Sequence, residues 1–314
     1  MKKWLRLSLQ LLSLILFVLI LWWAGPETWR VVWEGDRQVL LLAVLVYGVA
    51  GLASTIRLQL MTRAITGQAT ISWRRMFYVN WVARALGLVL PRTISTVGGK
   101  AVALKALGVP LHQSLWIVFV DNVYDLLLLG LWLWPGFMWL QGRESAAAFW
   151  LTVLTLTLIA SGLIVWSTQP GRLQPLLRRV RQIPWLAKRL PLDDNMLIPA
   201  PGYALAGFAV TLLLHTTLIT SFFLIGRAIN SPASLILVTS SYPFVQLSLI
   251  IALAPGGLGL FDLGWLGLLS LGGLNESEAL AFVVAQRAYV YLFVLAWAAI
   301  SQGISWTERN GSEQ

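Results

Sequence analysis

The feature that most constrains this chain is the spacing of its charges. A helix that crosses a bilayer needs about 20 consecutive residues free of charge. The intervals Arg6 to Glu27, Arg37 to Arg57, Asp125 to Arg143, Glu144 to Arg172, Asp194 to Arg227, Arg227 to Asp262 and Arg287 to Glu308 each enclose such a run. With 58% of the 314 residues hydrophobic and 11% charged, a spherical soluble protein would turn much of its apolar surface to water. The sequence therefore predicts an all-α, polytopic integral membrane bundle, a single membrane domain over residues 1–314 with about eight crossings of the length a bilayer requires.

The amino terminus, Met1 to Arg6 followed by an apolar run, has the outline of a signal peptide. The run from Leu7 to Ala24 is longer than an ordinary h-region and ends in Trp22 and Trp23, where a cleavage site needs small residues. It reads as an uncleaved first span. The 17 tryptophans fit either the headgroup level, where indoles collect, or contacts between helices. Cysteine is absent, and His112 and His215 are the two histidines, so neither a thiolate nor a histidine metal site is expected. No cofactor motif is visible and nothing points to nucleic acid.

Orientation follows from Lys and Arg near short loops. One side collects Lys2, Lys3, Arg6, Arg57, Arg63, Arg74, Arg75, Arg172, Arg178, Arg179, Arg181, Lys188, Arg189 and Arg309. The other holds Arg30, Arg37, Arg143 and Arg227 beside Glu27, Glu34, Asp36, Glu144, Glu276 and Glu278. This asymmetry places both termini on the cytoplasmic side of a cell inner membrane. The basic segment 168–200, repeatedly interrupted by proline, is expected to be a cytoplasmic loop able to lie on an anionic surface.

Two segments do not read as plain spans. Residues 76–110 contain Leu90-Pro91-Arg92 and Gly98-Gly99-Lys100, and residues 242–273 contain Ala254-Pro255-Gly256-Gly257-Leu258-Gly259. Proline removes a backbone donor and glycine loosens a helix, so both segments are expected to be re-entrant or broken. Broken backbone survives at membrane depth only when buried in protein or facing a wet cavity. Transporters built from inverted repeats place such breaks correspondingly in their two halves, although no residue-by-residue repeat is visible here.

The charges left inside the membrane are Arg84, Arg92, Lys100, Lys105 and Arg287 against Asp121, Asp125 and Asp262. Each costs at least about 2.5–3.5 kcal/mol at mid-bilayer unless paired or hydrated. Asp121 and Asp125 share one helix face, which is unfavourable unless a cation lies between them or one is protonated. Arg92, Lys100 and Arg287 are the expected partners. The surplus of positive charge would attract an anionic headgroup, since arginine's planar fork suits phosphate. Lys105 reads as snorkelling to the interface, and His215 as a hydrogen-bonded packing residue.

These residues carry a resemblance. Ile56-Arg57, Leu90-Pro91-Arg92 with Gly98-Gly99-Lys100, the run Val118 to Asp125, and Pro255 to Asp262 followed by Arg287 resemble the membrane domain of the lysylphosphatidylglycerol synthase/flippase family over nearly the whole chain. Two positions depart from that family's pattern: Asp121, where a basic residue is frequent, and Asp262, where glutamate is usual. The resemblance implies a lipid translocase fold with re-entrant helices and without the synthase activity.

The reading that follows is a flippase for an anionic phospholipid or polyprenyl-phosphate-linked lipid in a bacterial inner membrane, and not an enzyme. The headgroup would be held by Arg92, Lys100, Arg287 and the backbone at Gly256, Gly257 and Gly259. Asp121, Asp125 and Asp262 would support them or carry a coupling proton. The alternatives are a membrane enzyme that modifies a lipid headgroup and a non-catalytic subunit with a glycosyltransferase partner; a homo-oligomer is a further open possibility.

Overall fold

The computed structural model describes residues 26–67, 71–90, 93–169, 172, 199–251 and 259–311. The expected first span, 7–24, and most of the basic segment, 173–198, lie outside the described residues. Beyond a helical stretch at 26–33, the chain forms α1 (Arg37–Thr66), α2 (Trp73–Val89), a π-helical turn (Thr93–Gly99), α3 (Lys100–Ala106), α4 (Leu111–Leu140), α5 (Ala146–Ser167), α6 (Pro201–Ala228), α7 (Leu235–Ile251), α8 (Leu260–Leu271) and α9 (Glu276–Gly311). The fold is an all-helical membrane bundle. Among the described residues, α1, α4, α5, α6 and the Glu276–Ile304 part of α9 are long and apolar enough to cross a membrane.

The burial pattern is that of a protein dissolved in lipid. Leu151, Leu154 and Leu158 of α5 are 65%, 56% and 62% exposed, while Ser54, Thr55, Asn80, Thr211, Ser221 and Ser240 are buried. A helix in water would present the opposite faces. The buried polar groups bind helix to helix: Ser54 donates to Asn80 Oδ1 at 3.0 Å, and Asn80 donates to the Gly51 carbonyl at 3.2 Å. Tryptophans serve both as packing and as surface. Trp81 and Trp265 are fully buried, whereas Trp33 and Trp134 are exposed.

Helix α1 opens on Asp36, whose carboxylate accepts from the N–H groups of Gln38 and Val39, the usual satisfaction of free donors at a helix start. It closes at Gly67, whose φ of +66° is the left-handed geometry that glycine adopts without strain. Between these ends it lies antiparallel to α6. The Asp36 N–H donates to the Ala228 carbonyl at 2.8 Å, and Ser221 Oγ donates to the Ala43 carbonyl at 3.0 Å. Close approach requires small residues on the other side of α1. A Cβ added at Gly51 would lie 2.0 Å from the Trp81 ring, and one at Gly48 would lie 2.1 Å from Trp297. Those two indoles stack at 5.7 Å and 15°, locking α2 to α9.

Both interrupted segments are helix, break and shorter helix. The first stops at Val89, passes through the π-helical turn and resumes as α3. The second carries Pro243 inside α7 rather than at its break, runs to Ile251 and resumes at Leu260. An order of long helix, 17-residue helix, break, short helix and long helix thus occurs twice, as α1 to α4 and as α6 to α9. The packing follows the same exchange: α2 lies on α9 as α7 lies on α4, and α1 pairs with α6. Because α1 and α6 run antiparallel, the two halves are inverted relative to each other. Helix α5 is the piece without a counterpart among the described residues.

Candidate functional site

The centre of the bundle holds a chain of buried charges. Arg57, about two-thirds of the way along α1 and 1% exposed, lies between the two carboxylates of α4. Its Nε donates to Asp121 Oδ1 at 2.6 Å, one terminal nitrogen donates to Asp125 Oδ1 and to Thr211 Oγ1, and the other donates to Asp125 Oδ2 at 3.0 Å. Lys100, the first residue of α3, donates to Asp121 Oδ2 at 3.1 Å. His215 of α6 places Nε2 3.0 Å from Asp125 Oδ1 and Nδ1 2.8 Å from the Tyr242 hydroxyl. A carboxylate only accepts, so Nε2 carries the hydrogen; a neutral ring then accepts the Tyr242 hydroxyl at Nδ1.

A second pair lies in the other half. Asp262, fully buried in the first turn of α8, receives two N–H groups of Arg287 from α9, the one from its terminal nitrogen at 3.0 Å. Its Oδ2 also accepts the Gly259 N–H at 3.0 Å. Gly259 has φ of +83°, so only glycine turns the chain into α8 there without strain. The Arg287 guanidinium lies 4.5 Å from the Phe261 ring centre, a cation–π contact. The two halves therefore use the same ion pair with the charges exchanged. In one, the short helix supplies Lys100 and the following long helix Asp121; in the other, the short helix supplies Asp262 and the long helix Arg287.

Both clusters face one cavity of about 180 Å³. Arg57, Arg84, Lys100, Asp121, Asp125, His215 and Arg287 line it, with Asn122, Gln246, Gln286 and Tyr291 among their polar neighbours. Leu88 of α2 and Leu249 of α7, each near the end of a helix that breaks, are also on its wall. Arg84 lies 5.5 Å from the Trp81 ring centre, with no carboxylate in ion-pair range among the described residues. Among the described residues, four lining cations face three carboxylates, counting Asp262 behind Arg287, an excess of positive charge.

The expected site residues fall into three groups. Lys100, Asp121, Asp125 and Arg287 reach the cavity and Asp262 supports Arg287, as charge balance required. Arg92, Gly256 and Gly257 lie outside the described residues. The Gly259 N–H is given to Asp262, so it is not a free donor for a headgroup.

One placement needs correction. Arg57 belongs to the centre of the bundle and not to a cytoplasmic loop, because α1 continues to Thr66. It supplies the cation that Asp121 and Asp125 need between them, where Arg92, Lys100 and Arg287 were the expected partners; of these, Lys100 reaches Asp121. His215 also goes beyond packing, since it touches Asp125. Lys105 is exposed.

The family model described as "Lysylphosphatidylglycerol synthase TM region" matches residues 10–298. No curated protein matches the chain.

Proposed function

The chain belongs to the family of the lysylphosphatidylglycerol synthase transmembrane region, and on that footing we propose that it is a lipid flippase of the bacterial inner membrane with both termini cytoplasmic. Its cargo is an anionic phospholipid or polyprenyl-phosphate-linked lipid. The headgroup enters the central cavity while the lipid tail stays in the bilayer. The observation that carries this reading is a single cavity, walled by both broken segments, whose cations outnumber its carboxylates. Charges are kept at membrane depth where they serve a polar path.

The inverted halves support a rocking motion about a fixed site, as in transporters of that construction. Lys100–Asp121 and Asp262–Arg287 tie each short helix to the long helix that follows, so each half moves as a unit. Within the network, Asp125 and His215 form a polar bridge from α4 to α6. Protonation of that bridge would couple the movement to a proton gradient. The headgroup-modifying alternative is weaker on geometry. It needs Asp121 and Asp125 as acid and base, yet both are held by Arg57, Lys100 and His215.

The test is translocation in phosphatidylcholine vesicles containing the purified chain and trace fluorescent lipid, read by dithionite quenching of the outer leaflet. Phosphatidylglycerol is expected to cross at least about tenfold faster than in protein-free vesicles, a lowering of the barrier by about 1.4 kcal/mol. Rates equal to those of empty vesicles for every anionic lipid tried would remove the transport reading.

A further inference from the structure

Resting on the lipid-headgroup reading, we infer that Arg84 and Gln286 form the headgroup subsite, and that it selects a phosphate ester carrying a hydrogen-bond donor of its own. Of the four cations on the cavity wall among the described residues, three are already engaged. Arg57 is spread over Asp121, Asp125 and Thr211; Lys100 is bound to Asp121; Arg287 is bidentate on Asp262. A phosphate that took any of these would strand a buried carboxylate, which is strongly destabilising. Arg84 has no such commitment among the described residues. Its contact with Trp81 stabilises the positive charge through the ring face and uses no N–H donor. The planar guanidinium keeps its paired N–H groups for the two oxygens of a phosphodiester.

The second half of the subsite is an unanswered acceptor. Gln286 of α9 is 2% exposed, lines the same cavity, and its Oε1 has no hydrogen-bond partner among the described residues. A buried acceptor left in that state is destabilising, and a donor on the cargo removes the cost. Arg84 of α2 and Gln286 of α9 line the same cavity, on helices that pack against each other. A phosphate on the first and an O–H or N–H from the alcohol part of the headgroup on the second is the arrangement that meets both. An anionic lipid whose phosphate ends in a simple alkyl group meets only the first.

Binding and movement are measured separately, so that this inference and the transport reading fail separately. Dihexanoyl phosphatidylglycerol, which has hydroxyls, and dihexanoyl phosphatidylmethanol, which has none, are titrated into the detergent-solubilised chain and followed by thermal shift. The wild type is expected to bind the glycerol ester about tenfold more tightly, which corresponds to about 1.4 kcal/mol. Gln286→Leu is expected to bring the ratio to about one through loss at the glycerol ester alone. Arg84→Gln is expected to weaken both lipids at least about tenfold, with partial recovery in Arg84→Lys.

The inference is overturned if the wild type does not discriminate, if Gln286→Leu keeps the ratio, as it would were Oε1 a water site, or if Arg84→Gln binds both lipids unchanged. The expected binding pattern with no lipid movement in vesicles would uphold the subsite and defeat the flippase reading.

Discussion

Arg57→Leu is expected to leave little folded protein, the largest effect of any single substitution in the chain. The side chain is the sole cation in contact with Asp125 among the described residues when His215 is neutral, and it shares Asp121 with Lys100. Removing it leaves adjacent carboxylates in a buried site, at a cost of about 3–5 kcal/mol for a broken buried pair. That is a large part of the roughly 5–15 kcal/mol by which a native fold is stable. Arg57→Lys should recover only a fraction, because one ammonium cannot reach two carboxylates and Thr211 with the directed donors of a guanidinium. The double variant Arg57→Leu, Asp125→Asn should be more stable than Arg57→Leu alone, since Asp121 keeps Lys100 as its partner and the carboxylate left without a cation is gone. Thermal unfolding in detergent, followed by the monodisperse peak in size exclusion, reads this order directly.

Asp262→Ala is expected to have the second largest effect, because one carboxylate there has two jobs. It neutralises Arg287 and it accepts the Gly259 N–H that begins α8. Loss of the pair costs about 3–5 kcal/mol, and loss of a helix start cap adds about 1 kcal/mol. Asp262→Asn separates the two, since an amide oxygen still caps while the charge is gone, and it should melt above Asp262→Ala. In Asp262→Ala with Arg287→Leu no stranded cation remains, so this double variant should also melt above the single alanine variant. An unchanged melting temperature in Asp262→Ala would mean that the ion pair does not hold α8 to α9.

The long spans were readable because nothing but a bilayer accommodates runs such as 146–167 and 201–228, and the breaks were readable because proline and clustered glycine interrupt an apolar pattern. The inverted packing was not, since it resides in which helices touch, and the two halves share no visible residue pattern. Arg57 was misplaced for a specific reason. It ends a charge-free run and precedes Arg63, Arg74 and Arg75, which is also how a cytoplasmic boundary looks. The missing signal was Gly67, a helix stop two to three turns later, together with Gly48, Gly51, Ser54, Thr55 and Thr62, a polar and small face that continues past Arg57.

His215 shows the complementary limit. A lone histidine in an apolar run states nothing about its partners, and Asp125 is 90 positions away. Asp121 and Asp125 did announce a shared cation through their spacing, but spacing along one helix cannot say which other helix supplies it. The family resemblance set Arg287 on the helix after Asp262 without pairing the two, and the geometry supplies the pair: a capping carboxylate at a glycine turn is already buried and needs a cation.

On the flippase proposal, the broken helices α2 and α7 enclose a wet cavity that receives an anionic lipid head. The chain contains no cysteine, so Leu88→Cys and Leu249→Cys each introduce a single thiol on that wall without further engineering. In inverted membrane vesicles and right-side-out cells, a membrane-impermeant cationic methanethiosulfonate should modify both thiols from at least one side, and added dihexanoyl phosphatidylglycerol should slow the reaction several-fold. Leu154→Cys, on the outward face of α5, should stay unreactive. Two unreactive cavity thiols, or reaction rates indifferent to the lipid, would mean that the cavity receives no lipid headgroup.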